Sequence, residues 1–153
     1  MALDWEAWKY LSGEWEGGHE GDLGQGRGTF TFAFDLDENI LVRKNHTIFP
    51  PTKEREGYYH DDMLIIYTEY SGEKRAIYFD NEQHVIHYAA RVSSDGNTIT
   101  LESDALPGMP QFRFTYIKTG PNSLNGRFEM TPPGQPGAFF TYLEGPARRT
   151  ESK

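Results

Sequence analysis

Hydrophobic and polar side chains alternate most regularly over residues 29–36. Phe30, Phe32, Phe34 and Leu36 fall on one side of an extended chain, and mostly threonine and aspartate fall on the other. Because successive side chains of a β-strand point to opposite faces, this period of two predicts a strand with one buried and one solvated face. We expect the aromatic side to face the interior.

Similar runs recur along the chain, separated by turn residues. They predict about ten strands joined mostly by short loops, with no second helix long enough to cross a sheet. Such a meander must cover its edge strands, and closure into a barrel does so. We therefore predict an all-β fold, a closed antiparallel up-and-down β-barrel of about ten strands. It forms one domain over residues 1–149, followed by a flexible tail at residues 150–153.

A short helix is predicted before the first strand. Asp4 is suited to be its N-cap, Trp5, Trp8 and Leu11 share one face, and Gly13 ends it. We expect this apolar face to close one open end of the barrel as a hydrophobic lid.

The first strand combines one large ring with very small side chains. Trp15, Gly17, His19 and Gly21 share a face, while three glutamates mark the opposite face as solvated. The glycines leave room beside His19 for a ligand inside the barrel. In the other interpretation His19 is a buried histidine satisfied by a tyrosine or a backbone carbonyl, and phenylalanine rings fill the space.

The pattern of the third strand, residues 40–49, leaves its inward face open. If Arg43 and Asn45 face inward, they form a cationic and amide pair suited to a carboxylate or a phenolate. That arrangement is favoured if Lys44 and His46 face solvent. An outward Arg43 in a cross-strand ion pair is the alternative.

Several other polar residues are candidates for an interior site. Tyrosines at inward positions would line a cavity with hydroxyls, or would be core tyrosines with satisfied hydroxyls. His84 opens a predicted strand over residues 84–93 and, like His19, could do acid/base chemistry beside a tyrosine. The complete set of candidate ligand-binding residues is His19, Arg43, Asn45, Tyr67, His84, Tyr88, Tyr116 and Tyr142.

Histidine and acidic residues are dense in the middle of the chain. They lack the spacing of compact metal-binding motifs, and three of them span a predicted turn, so capped turns and surface charge account for them. No metal site and no catalytic residue is predicted. The residues concerned are His46, His60, Asp61, Asp62, Asp80, Glu82, His84 and His87.

Composition removes several classes of function. The formal net charge of -8 disfavours nonspecific binding to nucleic acid or to an anionic membrane. The absence of cysteine removes disulfides, thiolate catalysis and cysteine metal sites. The N-terminus has neither a basic region nor an apolar run, so no signal peptide is predicted and a cytoplasmic location is expected.

The start of the predicted barrel resembles a known family. Residues 13–17, Gly-Glu-Trp-Glu-Gly, followed by Gly21, resemble the Gly-x-Trp start of the calycin superfamily. The sequence is most similar to the ten-stranded branch of nitrobindins and bacterial lipocalin-like domains of unknown function, and more distantly to the fatty-acid-binding proteins. The resemblance implies a lipocalin-like barrel that holds a ligand.

The chain departs from two sites that the resemblance implies. Nitrobindins bind haem through a histidine near the C-terminal end, whereas the last histidine here is His87. No cofactor is therefore predicted. Fatty-acid-binding proteins hold a carboxylate with a late arginine and tyrosine; Arg127 and Tyr142 lie in the corresponding region, but Arg127 is predicted to point outward.

These observations favour a binding protein over an enzyme, without deciding between them. Its expected ligand is a small hydrophobic or amphipathic molecule held inside the barrel, and we expect a monomer or a homodimer. Two alternatives remain: a barrel enzyme doing acid/base chemistry on a small aromatic or acyl substrate, and a barrel filled by its own phenylalanines that acts as a structural or interaction module. An internal void below roughly 300 Å³ would exclude the first two functions for a drug-sized ligand.

Overall fold

The chain folds into a closed barrel of ten antiparallel strands, as the sequence predicts. Each strand pairs with the next, and β1 also pairs with β10, which closes the ring. The computed structural model describes residues 4–21 and 26–150, without the side chains of residues 19–21. The strands are β1 Gly13–Gly21, β2 Gly26–Asp35, β3 Ile40–Phe49, β4 Tyr58–Thr68, β5 Lys74–Asp80, β6 Val85–Val92, β7 Thr98–Ser103, β8 Phe112–Gly120, β9 Ser123–Met130 and β10 Phe140–Arg149.

The predicted N-terminal helix is only a 3₁₀ turn, Lys9–Leu11. The chain leaves the turn at Ser12 and enters β1 at Gly13, whose φ of 125° is unfavourable for residues with a side chain. Trp5 and Trp8 are nevertheless buried, and the Trp5 Nε1–H donates to the Glu38 carbonyl at 2.8 Å. The segment therefore covers this end of the barrel, which we call the closed end.

The core lies in the half of the barrel next to the closed end. Trp15 is fully buried and stacks on Phe30, with ring centroids 6.1 Å apart. The Trp15 Nε1–H donates to the Leu11 carbonyl at 2.8 Å, so its polar atom is satisfied. Around it, β2, β3, β4, β7 and β9 supply the buried side chains Phe32, Leu41, Ile66, Leu101 and Leu124.

At Gly17, Gly26 and Gly28, other atoms already occupy the space in which a side chain would lie. A Cβ on Gly17 would lie 2.7 Å from the Pro146 carbonyl oxygen, and one on Gly28 would lie 2.5 Å from the His46 carbonyl oxygen. A Cβ on Gly26 would lie 2.5 Å from the ring of Phe49. These positions need glycine because backbone and rings already occupy the space.

Two details of the predicted strands are wrong. Leu36 does not continue the inward face of β2, since it lies in the turn after Asp35 with a φ of 51° and is 65 % exposed. The last strand, predicted from the sequence over residues 138–143 or slightly longer, begins two residues later and runs from Phe140 to Arg149, because pairing continues through Gly145 and Pro146. Within the described residues, no helix has the length and apolarity needed to cross a bilayer.

Candidate functional site

The end of the barrel opposite the closed end, which we call the mouth, has two different walls. The polar wall consists of the inward side chains Arg43, Asn45, His60, Asp62 and Tyr78 on β3, β4 and β5. The aromatic wall consists of Phe112, Phe114, Phe128 and Tyr142 on β8, β9 and β10. In the ring of ten strands β4 lies opposite β9, so the two walls face each other across the barrel.

The sequence leaves open which face of β3 points into the barrel. In the structure Arg43 and Asn45 face inward, and Lys44 and His46 are exposed. The strand therefore carries its cation into the interior, where Arg43 is 5 % exposed. Burial of an unpaired charge would be costly, so a partner is required.

Asp62 of β4 is that partner. Arg43 Nη1 donates to Asp62 Oδ1 at 2.5 Å, and Asn45 Nδ2 donates to Asp62 Oδ2 at 3.1 Å. The guanidinium carbon also lies 5.1 Å from the ring centroid of Phe30 and 5.7 Å from that of Phe114. Burial by itself lowers the pKa of Arg43, but the adjacent Asp62 carboxylate outweighs this effect and the net pKa is raised. Arg43 is therefore a neutralised cation.

His60 extends the network toward the mouth. Its Nε2 lies 3.2 Å from Asp62 Oδ2 and 2.9 Å from the Tyr78 hydroxyl, and its Nδ1 lies 3.1 Å from Glu82 Oε1. Hydrogen bonding to Asp62 is the main cause that raises the pKa of His60 to about 9, and Glu82 adds to it. The imidazole is therefore protonated at neutral pH and donates from both nitrogens.

The tyrosine hydroxyls of this region also keep their protons. The Tyr78 hydroxyl donates to Asp80 Oδ2 at 3.0 Å, and burial raises the pKa of Tyr78 far above its ordinary value. Burial likewise raises the pKa of Tyr116 to about 12. Together with His60, these groups hold one protonation state around neutral pH, which favours a structural and binding role over proton transfer.

Two atoms of the polar wall have no hydrogen-bond partner. Arg43 Nε and Asn45 Oδ1 are buried and unpaired, and both residues border one small interior cavity of about 10 Å³. That volume is about enough for one water molecule. The described interior therefore does not enclose a drug-sized ligand. The cavity is lined by Gly17, Gly28, Phe30, Arg43, Asn45, Phe114, Tyr116, Leu124, Gly126, Gly145, Pro146 and Ala147.

The aromatic wall is a cluster of rings that point into the barrel. Phe128 packs against Phe114 and Phe112, with ring centroids 6.1 Å and 5.9 Å away, and Tyr142 lies 6.2 Å away. All four side chains are only partly buried. In the closed half, Phe32 is 1 % exposed, whereas Phe34, which packs against Trp5, is also only partly buried.

The structure brings together some of the residues that the sequence singled out. Tyr88 and Tyr116 face inward and are buried, and Tyr116 borders the small cavity. Tyr142 lies beside Phe128, at the register irregularity between Thr141 and Leu143. The site also contains Arg43 and Asn45.

Two other candidates, Tyr67 and His84, do not join this group. Tyr67 is on the outer face because it has the same parity as Met63 and Ile65, so its predicted interior role is wrong. His84 lies in the turn before β6, with its side chain 61 % exposed and Nδ1 2.9 Å from Asp80 Oδ2, so it is not an inward strand residue. The side chain of His19 lies outside the described residues.

Sequence reasoning missed the acid that organises the polar wall. The sequence pattern groups Asp62 and His60 with Asp61 as surface charge, because this part of β4 carries polar residues on both faces. The available signal was the alternation with Leu64 and Ile66, which are buried and share the parity of Asp62. Among the residues that the structure describes, no three histidine or acidic side chains are arranged to hold a metal ion.

No protein-family model and no curated protein sequence matches the chain. Among solved structures, the chain is similar to Rv2717c from M. tuberculosis, with 15 % identity over 98 % of this chain and 100 % of that chain and a TM-score of 0.66. It is also similar to the S-type phycobiliprotein lyase CPES from Guillardia theta, with 12 % identity over 97 % of this chain and 93 % of that chain and a TM-score of 0.59. At such identities the likeness shows the fold alone.

Proposed function

We propose that the chain binds a small amphipathic molecule in the open mouth of the barrel. Its apolar body packs on the aromatic wall and its polar edge faces the polar wall. The observation that carries this proposal is the partial exposure of Phe112, Phe114 and Phe128, although all three rings point inward. Apolar surface left uncovered beside convergent polar groups is typical of a ligand site.

The rim of the mouth supports the same location. Leu106 and Met109, in the loop between β7 and β8, are 59 % and 55 % exposed, and Phe140 at the start of β10 is 43 % exposed. The Gly134 amide donates to the Met109 carbonyl at 3.4 Å, so the loop between β9 and β10 lies against the loop of Met109. The apolar surface of the aromatic wall thus continues onto the rim.

The ligand class follows from the two walls and from the size of the interior. The cavity beneath the mouth holds about 10 Å³, so the body of the ligand stays in the mouth and is not enclosed in the closed half. Haem is not the proposed ligand, because no histidine follows His87 to ligate it as in nitrobindins. The proposal includes the cytoplasmic location that the acidic, cysteine-free composition favours.

A fluorescent apolar probe tests this function. N-phenyl-1-naphthylamine should bind the purified protein with an increase in fluorescence, and Phe128→Ser should weaken binding by about tenfold because it removes a ring from the aromatic wall. Tyr70→Ser is the matched control, since Tyr70 is fully exposed in the turn between β4 and β5 at the closed end. Equal affinity of the wild type and Phe128→Ser would contradict the proposal.

A second candidate function is self-association through the outer face of β3, β4 and β5. Met63 and Phe79 are paired on this face, and Phe79 is 40 % exposed. Both residues line a shallow concavity of about 620 Å³, and Lys44 and Asp61 line it as well. A two-fold interface needs a patch that complements itself, and an apolar centre flanked by both charge signs meets this requirement. The occupant we propose is a second copy of the chain.

Light scattering coupled to size exclusion tests this candidate. The wild type should elute as a dimer at micromolar concentration, and Phe79→Glu should elute as a monomer because it buries a charge in the interface. Thr100→Glu, on the outer face of β7, is the control and should leave the mass unchanged. A monomeric wild type over the whole concentration range would exclude the dimer and leave the mouth proposal intact.

A further inference from the structure

The small cavity below the mouth is lined by two residues, Arg43 and Asn45, that each carry a buried polar atom with no hydrogen-bond partner. Arg43 Nε–H is the donor and Asn45 Oδ1 is the acceptor, and the two residues are 5 % and 8 % exposed. Buried polar atoms without partners are uncommon, and each costs free energy unless a water or a ligand group satisfies it. Arg43 Nη1 donates to Asp62, and Asn45 Nδ2 donates to Asp62 and Thr47.

The chemistry of this pair favours a group that accepts and donates at one oxygen. A hydroxyl accepts from Arg43 Nε–H and donates to Asn45 Oδ1, as a water does. A carboxylate accepts but does not donate, and it would place a second anion beside Asp62, which already neutralises Arg43. The pairing thus corrects the expectation that Arg43 and Asn45 suit a carboxylate or a phenolate.

Size and position point to the same group. The cavity of about 10 Å³ has room for a single oxygen and not for the two oxygens of a carboxyl group. Phe114 borders the cavity and also belongs to the aromatic wall, where its ring lies 6.1 Å from that of Phe128. A molecule whose body lies on the aromatic wall can therefore place a terminal oxygen in the cavity.

We propose that the ligand of the mouth is an uncharged hydroxyl compound, a phenol or an alcohol, whose hydroxyl occupies the cavity between Arg43 and Asn45. This inference rests on the proposed binding function and adds the chemical class of the ligand. The barrel then binds the hydroxyl through two hydrogen bonds, and it binds the rest of the molecule through contacts with the rings of the aromatic wall.

A series of naphthalenes tests the inference on the wild-type protein. The probes are 2-naphthol, 2-fluoronaphthalene, which has a substituent of similar size but no donor, and 2-naphthoate, which is an anion. Partition out of water alone favours 2-fluoronaphthalene over 2-naphthol. We expect the reverse order at this site, with 2-naphthol binding about tenfold or more tightly than either of the others, because only its hydroxyl satisfies both buried atoms.

A variant pair assigns the preference to the cavity. Asn45→Leu removes the acceptor and should reduce the preference for 2-naphthol over 2-fluoronaphthalene to about twofold. Thr47→Ser is the control, since it changes a neighbour of Asn45 but keeps the hydroxyl that accepts from Asn45 Nδ2, and it should keep the preference. If Asn45→Leu does not fold, the wild-type series alone decides.

Three outcomes separate the inference from the function on which it rests. Equal affinity for 2-naphthol and 2-fluoronaphthalene, with both weakened by Phe128→Ser, would overturn the hydroxyl site, leave only a water in the cavity and retain the mouth as a binding site. Tighter binding of 2-naphthoate would also overturn it, in favour of an anion. Failure of all three probes to bind would overturn both proposals.

Discussion

The closed half and the mouth half of this barrel consist of the same strands but differ in what their inward side chains are: mainly apolar in the closed half, and polar or partly exposed aromatic in the mouth half. Along β3, Leu41 is fully buried against the other apolar residues of the closed half, whereas Arg43 and Asn45, further along the same face, carry polar atoms into the interior. The closed half is stabilised by the tight packing of its buried apolar side chains. The mouth half is held by a network around Asp62 and leaves aromatic surface partly uncovered.

This difference implies that the residues that govern stability and the residues of the proposed binding site lie in different halves of the barrel. A packed core that excludes water tolerates little change in volume. Truncation of a partly exposed ring in the aromatic wall should lower the free energy of unfolding less than truncation of a fully buried ring. Substitutions in the two halves should therefore have different consequences.

Truncation of matched phenylalanines compares the halves directly. Phe32→Ala should lower the free energy of unfolding by about 3–5 kcal/mol, because Phe32 is 1 % exposed in the closed half. Phe128→Ala should lower it by at most about half as much, since part of its ring already contacts water. Urea unfolding measures both values, and equal losses would mean that the two halves are packed alike.

Removal of one partner of the buried ion pair should lower the free energy of unfolding slightly less than Phe32→Ala does. Asp62→Ala leaves the Arg43 cation in the interior without its carboxylate and should lower the free energy of unfolding by about 3 kcal/mol. The double variant Arg43→Met/Asp62→Leu removes both charges and should recover much of this loss. A double variant no more stable than Asp62→Ala would contradict the assignment of the cost to an unpaired charge.

The protonated His60 predicts a pH dependence of stability. Its folded pKa of about 9 lies above the unfolded value of 6.5, so its contribution is complete below pH 6.5 and is lost as the pH rises toward 9. The groups that face His60 are Asp62, Tyr78 and Glu82. The midpoint of thermal unfolding should therefore fall over this interval.

His60→Gln tests the origin of that fall, because the variant has no titrating ring at this position. The decline between pH 6.5 and 9 should become shallower in this variant, while His87→Gln, on β6 and exposed, should retain the decline of the wild type. An unchanged profile in His60→Gln would assign the pH dependence to other groups.

The smallest effect on stability and binding is expected for Tyr67, a candidate ligand-binding residue whose side chain lies on the outer face of the barrel. Tyr67→Phe should change the free energy of unfolding by no more than about 0.5 kcal/mol and leave probe affinity unchanged, because its side chain is on the outer face. Tyr116→Phe is the informative counterpart, since Tyr116 borders the cavity below the mouth. A loss of affinity in Tyr67→Phe alone would show that the assignment of faces on β4 is wrong.

The fold was predictable because its signal is local and repeated. Phe30, Phe32 and Phe34 define an inward face by parity, and ten such strands with short loops require closure. The polar wall was less predictable, because β3 and β4 carry polar residues on both faces and Arg43 was assigned only conditionally. Its partner Asp62 is 19 residues away in sequence and meets it only through strand pairing. The pairing of the two buried charges is a tertiary property that parity alone does not supply.

The same distinction applies to the glycines of β1. Gly17 indicated internal space, yet its missing side chain accommodates the Pro146 carbonyl of β10, the strand that closes the ring. A sequence pattern marks where a side chain is absent, and the closing strand determines what fills the gap. His84 was misplaced for a related reason, since hydrogen bonds from its amide and ring to Asp80 hold it in the turn before β6.

The most direct test of the account is a titration of ¹⁵N-labelled protein with 2-naphthol, followed by amide chemical shifts. The account predicts that the shifts concentrate on the mouth half, at residues 43–47, 60–62, 112–116 and 126–130, with little change at residues 5–11. Shifts concentrated at residues 5–11, or on the outer face around Met63 and Phe79, would contradict the assignment of the mouth as the binding site.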